Sequence, residues 1–339
     1  MNLPKYGKNK RSATLLVAIT NGLVIIVHSL VPNPAMAASA PKLNERSYPY
    51  VAFGDSITTG SSIATCQENR RQSPWGCRES PTAAIPYPDR IAQALGYEYS
   101  DDPQTYSRPT NANSLTALRV GIWGYTAQEA AQAKQTGRNQ QGSWQPQLSA
   151  VEHANSLVTG SLGINDLHFS DVKKWAKLYI TPGRDRVSEE AASIVASKSR
   201  EFDSLFASLR VAQDHGANVV VTLYYNPYDA DNQQCTDLRA IGERIVNVLD
   251  NELLERAHTA GFDVADFRRP FTGHGSGSAE PFVFGTQCKL SSAVADWLPT
   301  WLGGGGGKST LGIGFDPHPN NKGTLAMANT ILQEFNNAD

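Results

Sequence analysis

The sequence predicts an α/β fold, a three-layer α/β/α sandwich around a five-stranded parallel sheet. Three observations predict it. Short apolar runs, several of them β-branched, recur along the chain. Stretches with helical spacing separate them. The runs end in small or polar turn residues, as strands do where an open α/β sheet carries its chemistry. The chain shows no internal repeat.

Val51 to Phe53 reads as the first buried strand, ending in Gly54-Asp55-Ser56, a strand-to-helix turn that sets a hydroxyl at the carboxyl edge. Taken alone, Asp-Ser after a strand is a helix cap. From Thr59 to Pro86 runs a loop rich in Ser, Arg and Pro. A helix starts near Pro88, carries Ile91, Ala94 and Leu95, and stops at Gly96. Leu118 to Ile122 is the second strand, ending at Trp123-Gly124-Tyr125-Thr126, where an Ala- and Gln-rich helix begins. The Gln-rich stretch up to Gln147 reads as a solvated connection. Ser156 to Leu162 is the third strand, closing in Gly163-Ile164-Asn165-Asp166. Helical spacing returns through Phe202, Leu205, Phe206 and Leu209. Val219 to Leu223 is the fourth strand, Leu238 to Ala260 a helix, and Phe262 to Ala265 the fifth strand. Residues 267–314 form a long excursion, functional or packed. Asp316-Pro317-His318-Pro319-Asn320 follows, then a last helix from Leu325 to Phe335.

Residues 1–40 read as a signal peptide. Lys5, Lys8, Lys10 and Arg11 make a basic start, and an apolar run from Ala13 to Val31 follows. Pro32, Pro34 and the patterns Ala35-Met36-Ala37 and Ala38-Ser39-Ala40 favour cleavage after residue 37 or 40 over retention as an anchor helix. The expected mature protein is secreted or extracytoplasmic, has no membrane span, and forms one domain over residues 41–339. It is expected to be a monomer.

Formal net charge is −2 with acids and bases mixed, so no basic stripe recommends a nucleic-acid partner. The four cysteines, in an exported chain, suggest disulfides rather than metal ligands. Cys66–Cys77 share one loop and Cys235–Cys288 flank later segments, so these are the expected pairs. Neither pair has Cys-x-x-Cys spacing and no His-Glu-x-x-His occurs, so no metal or other cofactor is expected.

Gly-Asp-Ser at the first strand, Gly124 after the second, Gly-x-Asn-Asp after the third and a C-terminal His-Pro-Asn occur in an order that resembles the SGNH (GDSL) hydrolase family. Tyr87-Pro88 before an apolar helix and Gln147-Leu148 before the third strand fit too. The exported, cysteine-paired layout is similar to the secreted actinobacterial-type esterases and lipases. The resemblance implies a flavodoxin-like sheet, Ser56 as nucleophile, His318 as its base, and an oxyanion hole from the N–H groups of Ser56 and Gly124 and the Asn165 amide. Those roles suit the residue types. A serine hydroxyl needs a base to take its proton, and an amide donates without carrying charge. Asp55 and Asp166 are read as holding their own loops through local backbone N–H groups.

The chain departs from the family at its acid. The pattern Asp-x-x-His puts Phe315 where the carboxylate belongs, and Asp316 is only two residues before His318. Either Asp316 still reaches the imidazole, the favoured reading, or a backbone carbonyl near Phe315 orients it. Other features resolve as decoys. Gly303 to Gly307 with Lys308-Ser309 mimics a phosphate loop, but Leu302 occupies its first glycine position. The Gly-x-Ser-x-Gly elbow is absent. Phe282, Phe284, Trp297 and Trp301 form either an acyl-binding lid or an aromatic anchor for a long loop.

The expected function is a secreted serine ester hydrolase of esterase or lipase type, acting on a small-molecule or lipid ester through an acyl-enzyme. The alternatives are a carbohydrate O-deacetylase using the same site and a non-catalytic binding module of the same fold.

Overall fold

The computed structural model describes residues 47–60, 84–100, 116–136, 146–180, 185–285 and 316–337. The leader, Cys66, Cys77, Cys288, Trp297, Trp301 and the glycine run at 303–307 lie outside the described residues.

Strand β1 (Tyr48–Phe53) is buried along its whole length, as a strand with neighbours on both sides and layers on both faces must be. Beyond it in sequence come β2 (Glu98–Ser100), β3 (Thr116–Arg119), β4 (Ala154–Gly160), β5 (Asn218–Leu223) and β6 (Asp263–Asp266). The sheet order is β2-β3-β1-β4-β5-β6, and every pairing is parallel. The five expected strands are all present. β2 adds a sixth at the edge, and its three residues are too few to show a periodicity. The chain moves outward from β1 on one side, then returns to pair β4 on the other. Loops leaving β1, β3 and β4 therefore diverge around a crevice at the carboxyl edge.

The helices are α1 (Ser56–Thr59), α2 (Tyr87–Ala94), α3 (Ala127–Thr136), α4 (Gln147–Val151), α5 (Val172–Ile180), α6 (Asp185–Ser197), α7 (Ser199–Asp214), α8 (Thr236–Ala260), α9 (Arg268–Phe271) and α10 (Asn321–Asn337). Alternating side chains along the central strands sort into two cores. Val51, Phe53, Val158, Val219 and Val221 meet Leu148, Phe202, Leu205 and Leu249 from α4, α7 and α8. Tyr50, Ala52, Leu157 and Val220 meet Ile91, Met327 and Ile331 from α2 and α10.

Three local readings change. Gln147 is not in a solvated connection; it is 1% exposed at the start of α4. Helices α5 and α6 fill a stretch for which the pattern gave no element. Helix α10 begins at Asn321 rather than Leu325, because Asn320 Oδ1 accepts the N–H groups of Lys322 (2.9 Å) and Gly323 (3.2 Å) and so caps an earlier start. Among the described residues, no helix is long and apolar enough to cross a membrane.

Candidate active site

The turn after β1 is set by Gly54, whose φ of 138° disfavours any side chain. A Cβ there would lie 2.3 Å from Thr58 Oγ1 and 3.0 Å from the Ser161 carbonyl. Asp55 then caps α1, its Oδ1 accepting the Ile57 N–H at 2.9 Å. Its Oδ2 accepts the Tyr224 hydroxyl at 2.9 Å, and Asp250 Oδ1 accepts the Tyr224 N–H at 2.8 Å. Burial pushes the Asp55 carboxyl up to about 6, against the opposing pull of those donors and of His318. Ser56 follows as the first residue of α1, 6% exposed.

His318 arrives from the other end of the chain. Its Nε2 lies 2.9 Å from Ser56 Oγ, and its Nδ1 lies 2.6 Å from Asp316 Oδ1. The His318 backbone N–H also donates to that Oδ1, at 3.1 Å. One carboxylate oxygen thus holds both the peptide and the ring of the residue two positions on, which is how the shortened spacing still brings the acid to the imidazole. Asp316 is fully buried. The loop hangs on residues 282–285, within the 267–314 excursion. Val283 forms an antiparallel bridge with Pro319, and the N–H groups of Phe284 and Gly285 donate to the carbonyls of His318 (2.9 Å) and Asp316 (2.7 Å). The Tyr225 hydroxyl donates to the Pro317 carbonyl at 2.7 Å.

The third and fourth contributors face the same crevice. Gly124 has φ 71°, and an added Cβ would meet nothing within 4 Å. The left-handed backbone there favours glycine. Asn165 Nδ2 donates to the Tyr125 carbonyl at 3.0 Å, which ties the loops after β3 and β4 together. An amide has two N–H groups, so that bond leaves a second donor. Asp166 reaches beyond its own loop. Its Oδ2 accepts the Ala127 N–H at 2.7 Å and its Oδ1 the Gln128 N–H at 3.4 Å, across to the start of α3. Burial raises the Asp166 carboxyl. Thr126 and Glu129 close the same helix end as a capping box, Glu129 Oε2 accepting the Thr126 N–H at 2.9 Å and Thr126 Oγ1 accepting the Glu129 N–H at 3.0 Å.

Ser56, His318, Gly124 and Asn165 share one cavity of about 540 Å³. The family model for GDSL-like lipase/acylhydrolase matches residues 50–331, which takes in all of them. The chain belongs to the GDSL-like lipase/acylhydrolase family. Among solved structures, an extracellular lipase from Streptomyces rimosus is 17% identical, with a TM-score of 0.52 over 85% of this chain and 100% of its own. Phospholipase A1 from Streptomyces albidoflavus NA297 is 20% identical, with a TM-score of 0.51 over 85% of this chain and 99% of its own. At such identities the likeness is one of fold. No curated protein sequence matches.

This GDSL-family cavity is walled by side chains that sequence reasoning did not single out: Ile57, Ile164, Phe169, Tyr224, Tyr225 and Pro227, with Trp123 beside Gly124. Position was the available signal for the two tyrosines, which directly follow β5 at the carboxyl edge. Phe282, one of the expected lid aromatics, instead stacks on His274 (4.0 Å) and meets Phe271 edge-on (5.6 Å), the anchoring alternative. Cys235 is buried at the foot of α8, and no described cysteine is free. Among the described residues no group of His, Cys, Asp or Glu could hold a metal ion.

Proposed function

We propose that this chain is an exported serine ester hydrolase working through an acyl-enzyme on Ser56. The observation that carries this reading is the continuous line Asp316 Oδ1, His318 Nδ1, His318 Nε2, Ser56 Oγ, with spacings of 2.6 Å and 2.9 Å at its two hydrogen bonds. Ser56 Oγ attacks the ester carbonyl while His318 Nε2 takes its proton. Asp316 holds the ring tautomer that presents Nε2 as acceptor and balances the imidazolium that forms. The N–H groups of Ser56 and Gly124 and the second N–H of Asn165 receive the developing oxyanion. His318 returns the proton to the departing alkoxide, then activates water to free the acid.

The apolar part of the cavity wall, which stands beside Thr126, Glu129, His168 and Ser170, supports an acyl group larger than acetyl, which ranks the lipase or esterase reading above the O-deacetylase one. The lipase and phospholipase that share the fold make lipid esters the first substrates to try. The reading includes removal of the leader after residue 37 or 40, the pairs Cys66–Cys77 and Cys235–Cys288, and a monomer. Intact mass of the secreted protein checks the first, and peptide mapping without reduction checks the second. Hydrolysis of acyl esters of rising chain length, beside acetylated sugars, tests the function. Ser56→Ala should abolish turnover in a folded protein; retained turnover removes Ser56 as nucleophile.

A further inference from the structure

Gln147 plays no part in the chemistry described above, yet its side chain is buried against the turn that carries the nucleophile. Its Oε1 accepts the Gly54 N–H at 2.8 Å and its Nε2 donates to the Gly54 carbonyl at 3.0 Å. Only one orientation of the amide satisfies both bonds. The registered pairings of β1 end at Ala52 with β3 and at Phe53 with β4, so Gly54 lies past both. On the β3 side the Gly54 carbonyl accepts the Ile122 N–H at 3.0 Å. A buried N–H that loses its ladder partner costs about 1–3 kcal/mol unless something replaces it. Here a side-chain amide takes the place of a neighbouring strand's peptide, and it grips both peptide planes that meet at Gly54. The next plane along carries the Ser56 N–H.

We infer that Gln147 is a positioning residue for the reaction, fixing the direction in which the Ser56 hydroxyl and N–H face the substrate carbonyl. The inference rests on the proposed function. Binding energy from the cavity wall does not pass through Gly54, so the loss should fall on kcat. A misplacement of about 1 Å at a reacting group can cost about a hundredfold.

Two variants test it. Gln147→Leu keeps the bulk and removes both bonds; kcat should fall about tenfold to a hundredfold with KM within about twofold. Gln147→Glu keeps the shape and makes the grip depend on a proton. The neutral acid can accept from the Gly54 N–H and donate to its carbonyl, whereas the carboxylate only accepts and opposes that carbonyl. Burial favours the neutral form. The ratio of Gln147→Glu kcat to native kcat should therefore fall as pH rises, with the variant still folded by circular dichroism. A native kcat in Gln147→Leu, or a flat ratio in Gln147→Glu, overturns the inference. So does a Gln147→Glu protein that unfolds with rising pH instead of losing kcat while folded. If Gln147→Leu does not fold, the ratio alone decides. Native hydrolysis, and its loss in Ser56→Ala, are measured first in the same assay, so a failure of the proposed function shows before any Gln147 variant is read.

Discussion

The two halves of the site are held in opposite ways. The nucleophile turn is built into the sheet. Gly54 to Ser56 continue the most buried strand, and side chains from three distant segments (Gln147, Tyr224 and, through Tyr224, Asp250) hold its backbone and its cap. The base loop is hung on another loop. Asp316 to Asn320 lean on residues 281–285 and on the Tyr225 hydroxyl, and lead into α10. The difference teaches that the nucleophile is positioned by side chains reaching in from the frame of the fold. On the second side the imidazole can be misplaced while the sheet stands.

The largest effect expected on the loop side is Asp316→Asn. If the carboxylate orients and balances the ring, kcat should fall about 10⁴-fold with the melting temperature little changed. A fall of about tenfold or less would return the orienting role to a backbone carbonyl. Steady-state kinetics beside a thermal melt decides.

That residue also marks the limit of what the sequence could say. The strands, the hydroxyl, the imidazole, Gly124 and Asn165 were legible because short apolar runs ending in small residues define a parallel sheet's edge, and the markers sit at those ends. Asp316 was visible but its reach was not, because the reach depends on one oxygen serving both the backbone and the ring of His318. Gln147 was misread as solvated since its partner is a backbone group 93 residues away, and no local pattern reports that. Asp166 was assigned to its own loop for the same reason; its donors are at the start of α3. The aromatic cavity wall comes from loops after β3, β4 and β5, which only the sheet order gathers.

A smaller effect sharpens the comparison. Tyr225→Phe removes the hydroxyl that holds the Pro317 carbonyl and leaves the ring stacked on Phe271 at 3.9 Å. One buried hydrogen bond is worth about 1 kcal/mol. The expected outcome is a kcat reduced several-fold and a melting temperature lowered by only a few degrees. A large loss of stability with native kcat would mean that the base loop is not the softer half.

The smallest effect concerns the sheet side. Asp55 has its carboxyl raised by burial from 3.8 to about 6, so the folded state holds a proton that the unfolded chain releases earlier. Its contribution to stability is complete below about pH 4 and is lost as pH rises through about 6. Asp55→Asn keeps an acceptor for the Ile57 N–H and removes the titration. Across that window its stability should fall less with rising pH than the native protein's, as read by denaturant unfolding at several pH values. An identical slope would mean that Asp55 does not titrate there.

The account as a whole depends on Ser56 being activated by His318. A fluorophosphonate serine label followed by peptide mass mapping tests this most directly. The predicted result is one adduct on Ser56, formed rapidly in the native protein and at least about a hundredfold more slowly in His318→Ala. An adduct elsewhere, or an equal rate in the two proteins, would contradict it.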